Sequence, residues 1–168
     1  MKQKPRTHPQ SDRNNGARIA PLQAVIAKPE QALSIKPFGL DIKVLLSTEA
    51  TGGAISVLMG WLKPGEGPSD HVHFNQEEIF FIIEGTYEMT VGGQTSTVGP
   101  GTIVFIPRNV VHRFKNVGDT TGCMLDWSQP GGQDRYFKAI SDLAAGGLTG
   151  EKVTEINKNF DTKFLAAH

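Results

Sequence analysis

A chain of 168 residues with 17 lysines and arginines against 17 aspartates and glutamates carries no formal net charge. That removes electrostatic attraction to nucleic acid or to an anionic membrane surface as a basis for function. The length suits one domain with a substantial core, and the single cysteine, Cys123, excludes an intramolecular disulfide and any cysteine-rich zinc site.

Residues 1–20 are polar and basic, with no apolar stretch of the signal-peptide kind. No run approaches the ~18 apolar residues of a membrane span. The expectation is a cytoplasmic protein with a mobile N-terminal arm over 1–20.

From Leu22 onward, short apolar segments alternate with glycine and proline. Strands are expected over 41–48 and 54–62, joined by the turn Thr51-Gly52-Gly53, and then over 78–84, 86–91, 94–98, 102–106 and 123–127. Residues 86–91 alternate, with Tyr87, Met89 and Val91 on one face, and Gly92-Gly93 is a two-residue hairpin turn. Short strands at this spacing predict an all-β sandwich or barrel over 21–130. The tail, 131–168, reads as a helical extension packed on it. Phe137, Ile140, Leu143 and Ala144 fall at helical spacing within 133–145, and Val153, Ile156, Phe160 and Phe164 do so within 150–167.

Of five histidines, His8 and His168 lie in the tails. His71 and His73 stand two apart, so on an extended strand both leave from one face. Phe74-Asn75-Gln76 offers a turn, after which Glu78 is free to face the same interior while its neighbour Glu77 points away. His112 follows the Pro107 turn. On these residues alone two readings stay open: polar decoration of a half-buried strand, or imidazoles and a carboxylate directed at one divalent transition ion.

Two longer patterns carry a family resemblance. Gly65, His71, His73, Glu78 and Gly85 match the first motif of the cupins, and Gly101, Pro107, His112 and Asn116 match the second. One position departs: Asn109 stands where the second motif has a glycine, and asparagine is the next best residue for a left-handed turn. The flanks TGGAISVLMGWLKPGEGP and SQPGGQDRYF resemble a narrower group, the small single-domain quercetin-dioxygenase-like cupins. The resemblance runs from about Ile35 to Phe137.

It implies a jelly-roll β-barrel (a double-stranded β-helix) holding one divalent transition metal through His71, His73, Glu78 and His112, although some members of the family keep the barrel and bind no metal. Iron is the favoured ion; manganese, nickel, copper and zinc tolerate the same ligands. Four protein ligands on an ion that prefers six leave two positions open. The resemblance also suggests Glu78 as the catalytic residue, a ligand able to loosen and take a substrate proton.

Strand parity proposes Phe80, Ile82 and Phe114, with Met59 or Trp61 opposite, as apolar pocket walls suited to a planar phenolic molecule. The leading expectation is a metal-dependent dioxygenase-type oxidoreductase acting on a small molecule. The alternatives are a non-catalytic ligand-binding or sensing cupin, and an isomerase or decarboxylase of a sugar acid or organic acid. The last predicts basic or polar cavity residues, whereas Arg108 and Arg113 are expected at the rim and outside. Which of Cys123 and Asp126 faces the cavity stays open. Ile79, Phe81 and Ile83 make the other face of the 78–84 strand apolar too, so it must be covered, by the C-terminal helices or by a second subunit in a homodimer.

Overall fold

A computed structural model describes residues 22–144 and 146–165, so the expected arm over 1–20 lies outside the described residues. In chain order the elements are β1 (Leu33–Ile35), β2 (Asp41–Leu46), β3 (Ser56–Leu62), β4 (His71–Val72), β5 (Glu77–Glu84), β6 (Tyr87–Val91) and β7 (Gln94–Val98). Then come β8 (Ile103–Ile106), β9 (His112–Asn116), β10 (Gly122–Gln129), α1 (Gln133–Ala144), α2 (Gly150–Asn157) and β11 (Lys163–Phe164). They form two antiparallel sheets, β1-β2-β3-β10-β5-β8 and β11-β4-β9-β6-β7. Between the sheets lies a core of Leu62, Phe80, Ile82, Tyr87, Met89, Ile106 and Met124. No helix among the described residues is long and apolar enough to cross a membrane.

Local sequence explains the turns that frame the site. Gly92 and Gly93 adopt φ of 57° and 81°, the double left-handed turn that matches the twist of the β6–β7 hairpin. Gly85, at φ 92°, closes β5 where a Cβ would meet the Cα of Gly122 at 2.7 Å, so only glycine fits. Asn109 takes φ 64°, and the left-handed turn survives the departure from glycine.

β5 carries Glu78, Phe80 and Ile82 inward, all buried, while Ile79, Phe81 and Ile83 stand half-buried on the outer face. The pairing register puts that outer face in line with Ile103 and Phe105 of β8, and these two remain 62% and 57% exposed. The C-terminal helices do not cover it: α1 packs instead on β1, β3 and the Pro37–Gly39 turn, with Phe137 against Ile35, Ile42 and Leu58.

The tail departs from expectation at its end. The helix expected over 150–167 stops at Asn157, and Phe160 and Phe164 lie beyond it. Competing contacts account for the break. Lys163 and Phe164 pair with Val72 and His71 on the open edge of β4, and the Asp161 carboxylate binds the backbone of the turn after His73. A continued helix would leave that strand edge and those N–H groups without partners.

Candidate metal centre

The two sheets bring together residues far apart in the chain. His71 of β4 and His112 of β9 are direct cross-strand partners, with ring centroids 4.0 Å apart. His73, two residues on, stands edge-on to His71 at 5.3 Å. Glu78 reaches across from β5 in the other sheet. One ligand atom from each of the four lies within 4.8 Å of all the others, and none of the residues is more than 5% exposed.

The donor set fits a metal ion for a reason visible in the hydrogen bonds. His71 Nδ1 lies 3.0 Å from the carbonyl of Ser69, His73 Nδ1 2.7 Å from that of Asp161, and His112 Nδ1 3.0 Å from that of Val110. A carbonyl only accepts, so each Nδ1 donates. A neutral ring would then leave its unprotonated Nε2 to a metal, the arrangement in which outer partners orient histidine ligands. Without a metal, it is an Nε2–H, of His112 or His73, that donates to Glu78.

Glu78 Oε2 sits 2.7 Å from His112 Nε2 and 3.5 Å from His73 Nε2. Burial alone would raise the Glu78 pKa, but hydrogen bonds from His112 and His73 outweigh it and hold the carboxylate well below its ordinary range. His71 is pushed down to about 4, first by burial and then by the neighbouring His112. It is therefore neutral at physiological pH, as a ligand must be. Burial opposes the charged form of His73, yet its hydrogen bond to Glu78 raises its pKa on balance.

The turn that delivers Glu78 is held from the C-terminal segment. The Asp161 carboxylate accepts from the backbone N–H groups of Phe74, Asn75 and Gln76 at 3.1, 2.6 and 2.8 Å, and from Asn75 Nδ2 at 3.0 Å. Successive N–H groups converging on one carboxylate form a concave anion nest.

The cluster opens into a cavity of about 610 Å³. Phe80, Phe114 and Trp61 line it, the first two with rings 5.0 Å apart. Met59 and Ile82 do not: Met59 pairs with Leu125 in the β3–β10 register, and Ile82 is sealed in the core at 0% exposure. Leu58, Phe137 and Phe164 complete much of the apolar wall. Among the described residues no lysine or arginine lines the cavity. Arg108 pairs with Glu77, and Arg113 with Asp70, both near the surface.

Of the pair left open on β10, Asp126 is the one at the cavity, opposite Phe80 in the register. A register shift between Cys123 and Met124 buries both of those residues, so counting alternate positions through it fails. Burial, then the adjacent Glu78 carboxylate, pushes the Asp126 pKa well above its ordinary value.

Sequence reasoning missed Gln133 and Asp161. Gln133 opens α1, is 3% exposed, and donates from Nε2 to Glu78 Oε1 at 2.9 Å. Its signal was its position four residues before Phe137, on the buried face of that helix. Asp161 had no such signal, because it acts across the molecule.

With this geometry in place, comparison with known proteins gives a consistent answer. The Cupin domain family matches residues 60–128. The polyketide synthase CurC of Streptomyces cyaneus is 36% identical over 113 residues, which are 62% of this chain and 73% of that protein. Quercetin 2,3-dioxygenase of Bacillus subtilis is 26% identical over 106 residues, 63% of this chain but only 31% of the dioxygenase. Among solved structures, a predicted oxalate decarboxylase from Thermotoga maritima superposes with a TM-score of 0.58 at 20% identity, covering 63% of this chain and 99% of that one. The last likeness is one of fold. The matched segment spans β3 to β10 and contains all four residues of the cluster, so the barrel and the two motifs within it place the chain in the cupin family.

Proposed function

We propose that this chain is a metal-dependent enzyme of the dioxygenase type, acting on a small, planar phenolic molecule, with iron held by His71, His73, Glu78 and His112. The observation that carries the reading is the character of the cavity beside the cluster: mostly aromatic and aliphatic walls, with polar side chains such as Ser69, Thr154 and Asn157 but no lysine or arginine among the described lining residues. A sugar acid, sugar phosphate or small dicarboxylate needs a cation to balance its charge in a buried site. Apart from the metal ion itself, no lysine or arginine among the described lining residues supplies one, so the isomerase and decarboxylase alternatives lose ground. An uncharged ring system matches both the walls and the volume, which is in the range of small-molecule sites.

An iron ion at the cluster would supply Lewis acidity and a route to dioxygen chemistry. The chain's own residues divide the remaining work. The three imidazoles hold their Nε2 atoms toward the centre, Phe80 and Phe114 exclude water and stack against a flat ring, and Glu78, once its Oε2 loosens as a ligand, takes a phenolic proton on that oxygen. The raised pKa of Asp126, adjacent to Glu78, disfavours a second negative charge in the site. The relationship to quercetin 2,3-dioxygenase supports an aromatic substrate class.

The likeness to CurC, a polyketide synthase by name, favours a second reading, chemistry on a polyketide, for which we take ring closure of the chain without oxygen as the case to test. Incubating iron-loaded protein with flavonols, catechols and poly-β-ketone aromatics separates the two. Oxygen uptake with both oxygen atoms recovered among the products supports dioxygenation. Loss of water with no uptake supports cyclisation. Prolonged retention of an unchanged compound would replace both with a binding role.

The outer face of β5 and β8, where Ile103 and Phe105 stand exposed, is the surface on which we place a homodimer contact.

A further inference from the structure

Helix α1 adds a residue to the site that neither cupin motif contains. Gln133 Nε2 is 2.9 Å from Glu78 Oε1 and 3.4 Å from His73 Nε2. A carboxylate only accepts, so the amide must present its NH2 to Glu78, which fixes its orientation. Glu78 is thereby divided: Oε1 is occupied by Gln133, and Oε2 alone faces His73 and His112.

The placement of Gln133 is enforced from both sides along the chain. Asp134, 7% exposed, takes the backbone N–H of Thr48 at 2.9 Å and the Thr48 hydroxyl, pinning the start of α1 to the loop after β2. Gly132 passes so close to Gln76 that a Cβ there would meet Gln76 Nε2 at 2.7 Å, and that Nε2 donates to the carbonyl of Pro130 at 2.9 Å. The first turn of α1 is thus tied both to the β2–β3 loop and to the turn that carries Glu78.

We propose that Gln133 is a positioning residue that restricts Glu78 to a single ligating oxygen, Oε2, and so keeps a coordination position free for substrate. The inference rests on the reading of the cluster as a metal site. Unlike that reading, it predicts that a residue outside the four ligands sets how the carboxylate binds. Freed of the amide, Oε1 can swing to the centre and make Glu78 bidentate.

The test uses full-length protein loaded with cobalt(II), whose visible absorption reports coordination number, in wild type, Gln133→Met and Gln133→Asn. Met keeps the length without the donor, and Asn keeps the donor but is too short to reach. In both variants the cobalt bands should weaken at least twofold as coordination number rises, and cobalt affinity in a chelator competition should change by about 10- to 100-fold. Two variants are used so that a folding failure in one leaves the other to decide. Spectra superimposable on wild type, with affinity within twofold, would overturn the proposal. If wild type takes up no cobalt, the metal reading fails, and crystal structures of metal-free wild type and Gln133→Met still decide the positioning claim. Glu78 Oε1 should stay on the Gln133 amide in wild type and turn toward the histidine Nε2 atoms in the variant; an unmoved carboxylate overturns the inference.

Discussion

Asp161→Ala should be among the most damaging single changes to this fold, although Asp161 lies 83 residues beyond Glu78 in the chain. Its carboxylate takes three backbone N–H groups and one side-chain amide, all at 2.6–3.1 Å. A hydrogen bond to a charged group contributes roughly 1.5–3 kcal/mol. Phe74 and Asn75 are exposed, so water replaces much of what their N–H groups lose, whereas Gln76 is buried and its N–H is left short of a partner. The expected loss is about 2–4 kcal/mol, or roughly 5–12 °C in Tm for a domain of this size. The backbone carbonyl of Asp161 also anchors His73 Nδ1 at 2.7 Å, so metal affinity should fall by about tenfold as that ring loses its orientation. Asp161→Asn keeps one acceptor oxygen and should fall between wild type and Ala. Urea denaturation gives the stability and a chelator competition gives the affinity. An Asp161→Ala protein within 0.5 kcal/mol of wild type, with unchanged affinity, would refute the idea that the C-terminal segment builds the site.

Gly85→Ala forces a side chain into a left-handed conformation against the Cα of Gly122, and should cost about 2–4 kcal/mol by denaturant titration; a cost below 1 kcal/mol would contradict the packing described. In the metal-free protein His71, held near pKa 4, stays neutral on acidification while the unfolded chain takes up a proton below about 6.5. Its stabilising contribution is complete above pH 6.5 and is lost as pH falls toward 4, amounting to roughly 2 kcal/mol lost at pH 5. His73, raised by Glu78, contributes in the opposite sense, below its unfolded pKa, and loses that contribution as pH rises through its folded value. Comparing wild type with His71→Asn at pH 7 and pH 5 isolates the first effect, and identical pH dependence would contradict it. Phe105→Glu should convert a dimer to a monomer in light scattering without lowering Tm by more than a few degrees, because Phe105 is 57% exposed in the single chain; an unchanged mass would remove the outer face from the contact.

What was legible in the sequence was what depends on short-range pattern. Gly92-Gly93 dictates its hairpin, the motif position of Glu78 sets which side of β5 is inward although both of its faces are apolar, and the repeat of motif glycines frames both turns of the site. His71, His73 and Glu78 could be set on one interior because the 74–76 turn resets the strand parity between them. The rest depends on contacts between distant segments. The bulge at Cys123/Met124 defeats a parity count, so Asp126 had to be seen in place. The apolar spacing of 150–167 suggested one helix, yet pairing with the β4 edge and the demand of three N–H groups for Asp161 win over helix propensity in its second half. Gln133 was hidden for a related reason: a polar residue at a helix start reads as a solvated end until the partner, Glu78, is known to lie beneath it.

The claim on which all of this rests is that His71, His73, Glu78 and His112 hold one metal ion. Elemental analysis of protein purified without added metal and then offered iron(II), beside the His112→Ala variant, tests it directly. The account predicts close to one transition-metal ion per chain in the wild type and a loss of most of it in the variant. A wild type that retains no metal, or a variant that retains as much as the wild type, would contradict it.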